Sequence, residues 1–266
     1  MITKVRISDN ENTPIRYVNE LDVFKNGVEF DFIPGTNVIV GPNGSGKSTL
    51  IDLIRAYTLV IHRDCEVSNA SLSKTFRDYI LGNRDMNDGV EVYGDYATNI
   101  FRMVRTEESR LVGNSLRSFL DFGATFESIN SSTGEGMLSD IEAMFSYMFD
   151  PNRDLSFPLE RVKAYSSSLD GKYDKYVSYV ENHKVDCDKR YTMLMDEPER
   201  NLDIYNIDKV MGILGHDRGD TQIICTIHNP LVIYELSKNE SINIIELKDG
   251  YVRDVIDKLD EIIVKK

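Results

Sequence analysis

The stretch that most constrains the fold is NVIVGPNGSGKSTLIDLI, residues 37–54. Asn37 to Val40 are typical of a short buried strand, and the apolar residues after the loop predict a helix over 47–62. Between strand and helix, Gly41 to Ser48 match the pattern G-x-x-x-x-G-K-[ST] at every fixed position. Because strand, glycine-rich turn and helix come in the required order, we predict a phosphate-binding loop rather than a chance glycine turn.

The chemistry of this phosphate loop suits a nucleoside triphosphate. Its glycines allow successive backbone N–H groups to point at the β- and γ-phosphates. Lys47 adds positive charge at the same place, and the Ser48 hydroxyl can ligate Mg²⁺. The predicted nucleotide-binding residues of the loop are Asn43, Gly44, Ser45, Gly46, Lys47, Ser48 and Thr49.

An acidic pair follows a second predicted strand in YTMLMDEPERNLD, residues 191–203. The strand runs from Thr192 to Met195 and ends in Asp196 and Glu197. Ligands of α/β sheets lie at the carboxyl ends of the strands, so these carboxylates are expected to face the phosphate loop. We predict that Asp196 holds Mg²⁺, directly or through water, and that Glu197 deprotonates the attacking water. The alternative is an acidic turn without a catalytic role.

A histidine stands just past a third apolar strand in TQIICTIHNP, residues 221–230. A lone histidine at a strand end is more often structural. His228 is expected at the same sheet edge as the acidic pair, which favours a contact with the γ-phosphate. The other histidines lack this context and are interpreted as surface or core residues: His62, His183 and His216.

Four segments, GPNGSGKST, SSTGEG, MLMDEPERNLD and TIHNP, together resemble the head of ATP-binding-cassette (ABC) ATPases in content and order. The similarity is greatest to the non-transporter branch, the SMC/RecF-like and OLD-like ATP-binding proteins of DNA repair and phage defence. It implies an α/β P-loop NTPase fold with a mostly parallel central sheet, an antiparallel β subdomain and a helical lobe carrying the signature motif. Residues 1–266 are expected to form one such domain. Residues 1–62 and 191–266 would form the core lobe, and 63–190 the helical lobe. The segment 151–190 is interpreted as an insertion in that lobe, with a flexible solvated loop as the alternative.

The resemblance also assigns residues 131–135 to the signature loop, which binds the γ-phosphate of ATP held by another subunit. It places Ser132 at the phosphate-contacting serine, Gly134 at the second glycine and Glu135 at the last position of that motif. Asp203 falls in the D-loop. A head-to-tail homodimer with two ATP molecules at its interface is therefore expected, with ATP and Mg²⁺ as cofactors. The alternative for this stretch is an ordinary N-capped amphipathic helix over 135–149.

The sequence also departs from the family pattern. Ser131 and Thr133 replace the usual leucine and first glycine of the signature. Gln222, the only glutamine, lies in the strand before His228, so the Q-loop glutamine has no counterpart. Tyr17 is the candidate for stacking on adenine. Coiled-coil arms and a nuclease domain after TIHNP are not expected, so a nuclease would be a separate protein.

Composition restricts the partners. The net charge of −13 opposes a broad polyanion-binding surface. A local basic patch could still bind nucleic acid, and its candidate residues are Arg102, Arg105, Arg110 and Arg117. A solvated surface without a binding role is the favoured interpretation of these arginines. The three cysteines, Cys65, Cys187 and Cys225, are widely spaced and predict buried reduced thiols in a cytoplasmic protein. No signal peptide or membrane span is predicted.

The remaining elements follow from hydrophobic periodicity. Strands are predicted over 2–7, 28–33, 99–105, 242–247 and 251–255, and helices over 203–215 and near 173–180. The sequence KDG at 248–250 is predicted to be a hairpin turn between the last two strands.

Three functions compete. The favoured one is a cytoplasmic ATPase whose ATP-driven dimerisation regulates a separate effector or nuclease in DNA repair or phage defence, with nucleic acid bound directly or through that partner. The alternative is the nucleotide-binding subunit of an ABC transporter, which the missing Q-loop glutamine, the altered signature and DEPE disfavour. A scaffold that scarcely hydrolyses ATP is the third, and the set Asp196, Glu197 and His228 argues against it.

Overall fold

Two sheets organise the part of the chain that the structure, a computed structural model, describes: residues 1–8, 18, 20–58, 89–94, 99–102, 174–185, 191–217, 219 and 221–264. The strands are β1 (Ile2–Ile7), β2 (Val28–Asp31), β3 (Thr36–Val40), β4 (Val90–Gly94), β5 (Asn99–Arg102), β6 (Tyr191–Asp196), β7 (Thr221–Thr226) and β8 (Asn243–Glu246). The helices are α1 (Lys47–Thr58), α2 (Asp174–His183), α3 (Ile204–Gly215), α4 (Pro230–Leu236) and α5 (Tyr251–Val264).

The larger sheet is parallel, with the strand order β5-β6-β7-β3-β8. Every residue of β3 and β7 is buried, as the apolar runs predict for strands covered on both faces. β6 pairs with β7 up to Asp196 and Thr226, which lie opposite each other at the ends of the two strands. The phosphate loop, the acidic pair and the histidine therefore all emerge from neighbouring strands at one sheet edge.

The smaller sheet is antiparallel, with the order β2-β1-β4. It confirms the antiparallel β subdomain. The side chain of Gln222, fully buried in β7, ties it to the parallel sheet. Its Nε2 donates to the carbonyl oxygen of Ile2 at 2.7 Å, and its Oε1 accepts from the N–H of Ile2 at 2.8 Å. The single glutamine therefore connects the parallel sheet to the antiparallel sheet through hydrogen bonds.

Two apolar cores cover the faces of the parallel sheet. The first packs α1 and the antiparallel sheet against Ile39, Leu194 and Ile224. The second packs α3, α4 and α5 against Val38, Met193 and Cys225. Neighbouring residues of one strand enter opposite cores because side chains alternate across a strand. Cys225 is a buried free thiol, as predicted.

The prediction of a strand at 251–255 after a hairpin turn is wrong. The segment Tyr251–Val264 forms the helix α5, and the carbonyl oxygen of Gly250, at φ 75°, accepts a hydrogen bond from the N–H of Asp254 at 2.9 Å. The helix is favoured because Tyr251, Val255 and Leu259 recur four residues apart and pack in the second core. A segment of five residues is too short to distinguish the four-residue spacing of a helix from the two-residue alternation of a strand.

The other predicted elements that fall on described residues are present with small shifts. The predicted helix at 203–215 is α3, and the strand at 242–247 is β8. Residues 59–62 of the first predicted helix lie outside the described residues, as do 103–105 and the whole helix over 135–149. Among the described helices, none has the length and apolar character needed to cross a bilayer.

Candidate active site

The phosphate loop connects β3 to α1 and depends on glycine in two ways. Gly44 and Gly46 adopt φ angles of 76° and 101°, in the left-handed region that side chains disfavour. A Cβ atom on Gly46 would also lie 2.9 Å from Cε2 of Phe24. The exposed tip of the loop consists of Asn43 and Gly44. The sequence pattern is therefore accompanied by the backbone conformation that a phosphate loop needs.

Lys47 folds back over this loop. Its side chain is 7% exposed, and its Nζ donates to the carbonyl oxygens of Gly41 at 2.8 Å and Pro42 at 3.1 Å. Burial lowers the pKa of the Lys47 ammonium, and three nearby carboxylates oppose that shift, those of Glu197, Asp196 and Glu199. The positive charge of Lys47 thus lies within electrostatic reach of the acidic turn.

Asp196 joins the acidic strand to the phosphate loop. It is 7% exposed, and its Oδ1 accepts hydrogen bonds from the hydroxyls of Ser48 at 3.0 Å and Thr226 at 2.7 Å. A hydroxyl and a carboxylate oxygen are ligands that Mg²⁺ accepts alongside phosphate oxygens. Among the described residues no group of three or more acidic, histidine or cysteine side chains could hold a metal ion alone. The donor set of Ser48 and Asp196 therefore fits Mg²⁺ bound together with a nucleotide.

Glu197 has an unusual backbone held by Thr226. Its φ angle is 52°, which is uncommon for a residue other than glycine. Its N–H donates to the hydroxyl of Thr226 at 2.9 Å and to the carbonyl oxygen of Thr226 at 3.2 Å. The side chain is 28% exposed, and its Oε2 lies 3.7 Å from Nη1 of Arg200. One buried hydroxyl, that of Thr226, therefore orients both Asp196 and Glu197.

Glu199 connects the acidic turn to the histidine. It is 5% exposed, and its Oε1 accepts from the backbone N–H groups of His228 at 2.6 Å and Asn229 at 3.0 Å. Burial raises the pKa of the Glu199 carboxyl, and these backbone hydrogen bonds act in the opposite direction. His228 itself is exposed and lies two residues beyond β7. Asn229 caps α4 by accepting from the N–H of Leu231.

The structure brings some of the predicted site residues together. Ser48 donates a hydrogen bond to Asp196, and the ammonium of Lys47 interacts electrostatically with the carboxylates of the acidic turn. Asp203 is the N-cap of α3 and accepts from the N–H of Asn206 at 2.9 Å. Several predicted residues lie outside the described ones: Tyr17, Arg105, Arg110, Arg117, Ser132, Gly134 and Glu135.

Sequence reasoning missed Thr226 and Glu199. Both stand inside quoted motifs, TIHNP and DEPE. Two signals were available in the sequence. If the strands that end at Asp196 and Thr226 are neighbours, the Thr226 hydroxyl lies beside the acidic pair, and Glu199 is a third acidic residue in the same turn. Neither signal reveals which backbone groups the side chains would bind, because that depends on the tertiary approach of residues about 30 positions apart.

Sequence comparisons agree with this geometry. Residues 18–144 match the family model described as an AAA domain, AAA_23. A curated relative, "Putative ABC transporter ATP-binding protein MG467 homolog" of Mycoplasma pneumoniae, is 33% identical over 79 residues, which is 30% of this chain and 22% of the relative. These sequence matches and the motif contacts support an ABC-type ATPase domain in this chain. The matching part spans about a fifth of the length of that curated relative.

Two solved structures are similar to this chain at low sequence identity. The SMC head domain from Thermotoga maritima is 14% identical, with 87% of this chain and 90% of that chain covered and a TM-score of 0.39. A nucleotide-free ATP-binding cassette from an ABC transporter is 13% identical, with 93% and 88% covered and a TM-score of 0.37. Because these scores are below 0.5, support for an ABC-type domain comes from the motif contacts and the sequence matches alone.

Proposed function

We propose that this ABC-type domain binds ATP with Mg²⁺ and hydrolyses it to ADP and phosphate. The observation that supports this most strongly is the 3.0 Å hydrogen bond from the Ser48 hydroxyl to the Asp196 carboxylate. It joins two motifs that are 148 residues apart in sequence into one site. Neither motif alone could both hold a triphosphate and hydrolyse it.

The phosphate loop would bind the triphosphate through its backbone N–H groups and Lys47. The ammonium already lies against the loop carbonyls, so little side-chain reordering would be needed for it to reach a phosphate oxygen. Ser48 and Asp196 would hold Mg²⁺. When bound, the ion supplies positive charge at the β- and γ-phosphate oxygens.

Glu197 would act as the general base. The water oxygen would form a bond to the γ-phosphorus while the bond to the bridging oxygen of ADP breaks, and the carboxylate of Glu197 would accept the proton of the water. Its side chain is 28% exposed and can meet water, whereas Glu199 is almost completely buried. His228, exposed beside this turn, would contact the γ-phosphate.

A second copy of the chain would complete the site through Ser132, Gly134, Glu135 and Asp203. A described feature that supports association is the apolar surface directly after Asp203, where Ile204 is 58% and Tyr205 80% exposed. ATP bound between two copies would make dimerisation dependent on nucleotide. In this proposal that dimer regulates a nucleic-acid-directed effector or nuclease of DNA repair or phage defence in the cytoplasm.

The second candidate, the nucleotide-binding subunit of a transporter, is favoured by the name of the Mycoplasma relative, a putative ABC transporter ATP-binding protein. Purification of the Glu197→Gln protein with ATP, followed by mass spectrometry of what accompanies it, separates the candidates. An effector or nuclease is expected, and copurification of an integral membrane protein would favour the transporter.

Hydrolysis itself is tested by measuring phosphate release from ATP with Mg²⁺ and with excess chelator. Release that requires Mg²⁺ and is abolished with Ser48→Ala and Asp196→Ala combined is the expected result. An intact wild-type protein that binds ATP and releases no phosphate would contradict the proposal and favour the scaffold.

A further inference from the structure

The buried carboxylate of Glu199 is unusual because burying a charge is costly unless it is well paired. It is 5% exposed, and its Oε2 has no hydrogen-bond partner among the described residues. Its Oε1 accepts two hydrogen bonds, from the N–H groups of His228 at 2.6 Å and Asn229 at 3.0 Å. A polar side chain kept in this position must therefore do something that an apolar one of similar size would not.

We propose that Glu199 is a positioning residue for hydrolysis. By accepting from the backbone N–H of His228, it would hold that residue beside the acidic turn, so that the imidazole can reach the γ-phosphate. This role rests on the proposed function of His228. Glu199 itself touches neither substrate nor metal in this proposal.

The two turns are bonded to each other in both directions. From the acidic turn, the N–H of Glu197 donates to the hydroxyl and carbonyl of Thr226. From the turn after β7, the N–H groups of His228 and Asn229 donate to Glu199. Because donors and acceptors alternate between the turns, neither turn can move without breaking hydrogen bonds to the other. The general base and the histidine are thereby kept at a fixed separation.

The consequence for catalysis follows from geometry. A side chain misplaced by about 1 Å can lower a rate by about a hundredfold even when it is chemically intact. Removing the Glu199 acceptor would release the backbone of His228, while Lys47, Ser48 and Asp196 would keep their contacts. The rate of the chemical step should then fall although ATP still binds.

Three substitutions separate positioning from general stability. Glu199→Met keeps the length and removes both acceptors, and Glu199→Gln keeps an oxygen that can accept the same two N–H groups. Glu246→Met is the matched control, since Glu246 also accepts a backbone N–H, that of Val252 at 3.4 Å, but at the start of α5. Steady-state ATP hydrolysis, ATP binding by calorimetry and amide hydrogen exchange are measured for the full chain.

For Glu199→Met we expect kcat to fall about a hundredfold, with KM and ATP affinity changed by less than about threefold. Exchange of the His228 and Asn229 amides should accelerate while the core amides of β6 and β7 stay protected. Glu199→Gln should recover most of the lost rate and restore slow exchange. Glu246→Met should show neither effect.

Wild-type kcat in Glu199→Met, or unchanged exchange at both amides, would overturn the proposal. So would a loss in Glu199→Gln equal to that in Glu199→Met, since the amide retains the acceptor. If Glu199→Met does not fold, Glu199→Asp replaces it, because the shorter side chain withdraws the acceptor and carries the same expectations. Failure of the proposed function is distinct: wild-type protein would then release no phosphate, while the exchange measurement would still decide whether Glu199 holds the turn.

Discussion

The hydroxyl of Ser48 donates a 3.0 Å hydrogen bond to Oδ1 of Asp196. Ser48 lies in the first turn of α1 and Asp196 is the last residue of β6. The bond exists because β3 and β6 both flank β7 in one parallel sheet, which brings their carboxyl ends to the same edge. Through it the sheet converts two distant motifs into one candidate Mg²⁺ site.

The charge of Lys47 should dominate the binding of the triphosphate. Lys47→Ala is expected to weaken ATP affinity by about tenfold to a hundredfold or more, because a charged hydrogen-bond donor to phosphate is lost. Calorimetry with Mg²⁺ measures the effect, and Lys238→Ala, which removes an exposed lysine paired with Glu235, is the control. Wild-type affinity in Lys47→Ala would remove Lys47 from this role.

The hydroxyl group of Thr226 should affect hydrolysis more than the size of the Thr226 side chain does. Thr226→Val is nearly isosteric but breaks the bonds to Asp196 and to the N–H of Glu197, whereas Thr226→Ser keeps the hydroxyl. We expect kcat to fall at least about tenfold in the valine variant and the apparent Mg²⁺ requirement to rise, with serine restoring both. Equal rates for valine and serine, measured by phosphate release, would mean that the hydroxyl does not orient the carboxylates.

Gln222 should act on stability and not on turnover. Gln222→Met leaves the N–H and carbonyl of the buried Ile2 without these partners. Since each unsatisfied buried group costs about 1–3 kcal/mol, the loss of partners for these two groups should lower the free energy of unfolding by about 2–6 kcal/mol. Urea denaturation measures this, and kcat per folded molecule should stay unchanged. A selective loss of kcat at wild-type stability would instead indicate that Gln222 serves as the family's missing Q-loop glutamine.

These contacts show how far the sequence could predict the site. The strand, loop and helix around Lys47 and the strand before Asp196 were predictable because each has a strong local pattern. Thr226 and Glu199 were not, because their roles arise from backbone groups in another turn. Residues 251–255 were misjudged for a related reason: the α5 helix is favoured by packing on α4 and the sheet, which a five-residue alternation does not report.

The proposed action of Ser132 in trans predicts complementation between two inactive variants. Ser132→Arg should leave ATP binding by its own subunit intact but block hydrolysis, and Lys47→Ala should stay free of ATP at a nucleotide concentration below its weakened affinity. In a mixed head-to-tail dimer one composite site carries both defects and the other carries none. The mixture should therefore recover activity that neither variant has alone.

Light scattering provides the control by showing whether ATP-dependent heterodimers form. Heterodimers that form without recovering activity would count against action in trans. Normal dimerisation and hydrolysis by Ser132→Arg alone would exclude the role of Ser132.

The most direct test of the central claim, that the phosphate loop and the acidic turn form one hydrolytic site, is single-turnover phosphate release by Glu197→Gln. The amide preserves the shape of the side chain but cannot take the proton, so release should slow by about 10²–10⁴-fold while calorimetry shows wild-type ATP affinity. Glu235→Gln is the control, because Glu235 is an exposed glutamate paired with Lys238, and this variant should release phosphate at the wild-type rate. Slowing of less than about tenfold in Glu197→Gln would contradict the account, because another group would then have to activate the water.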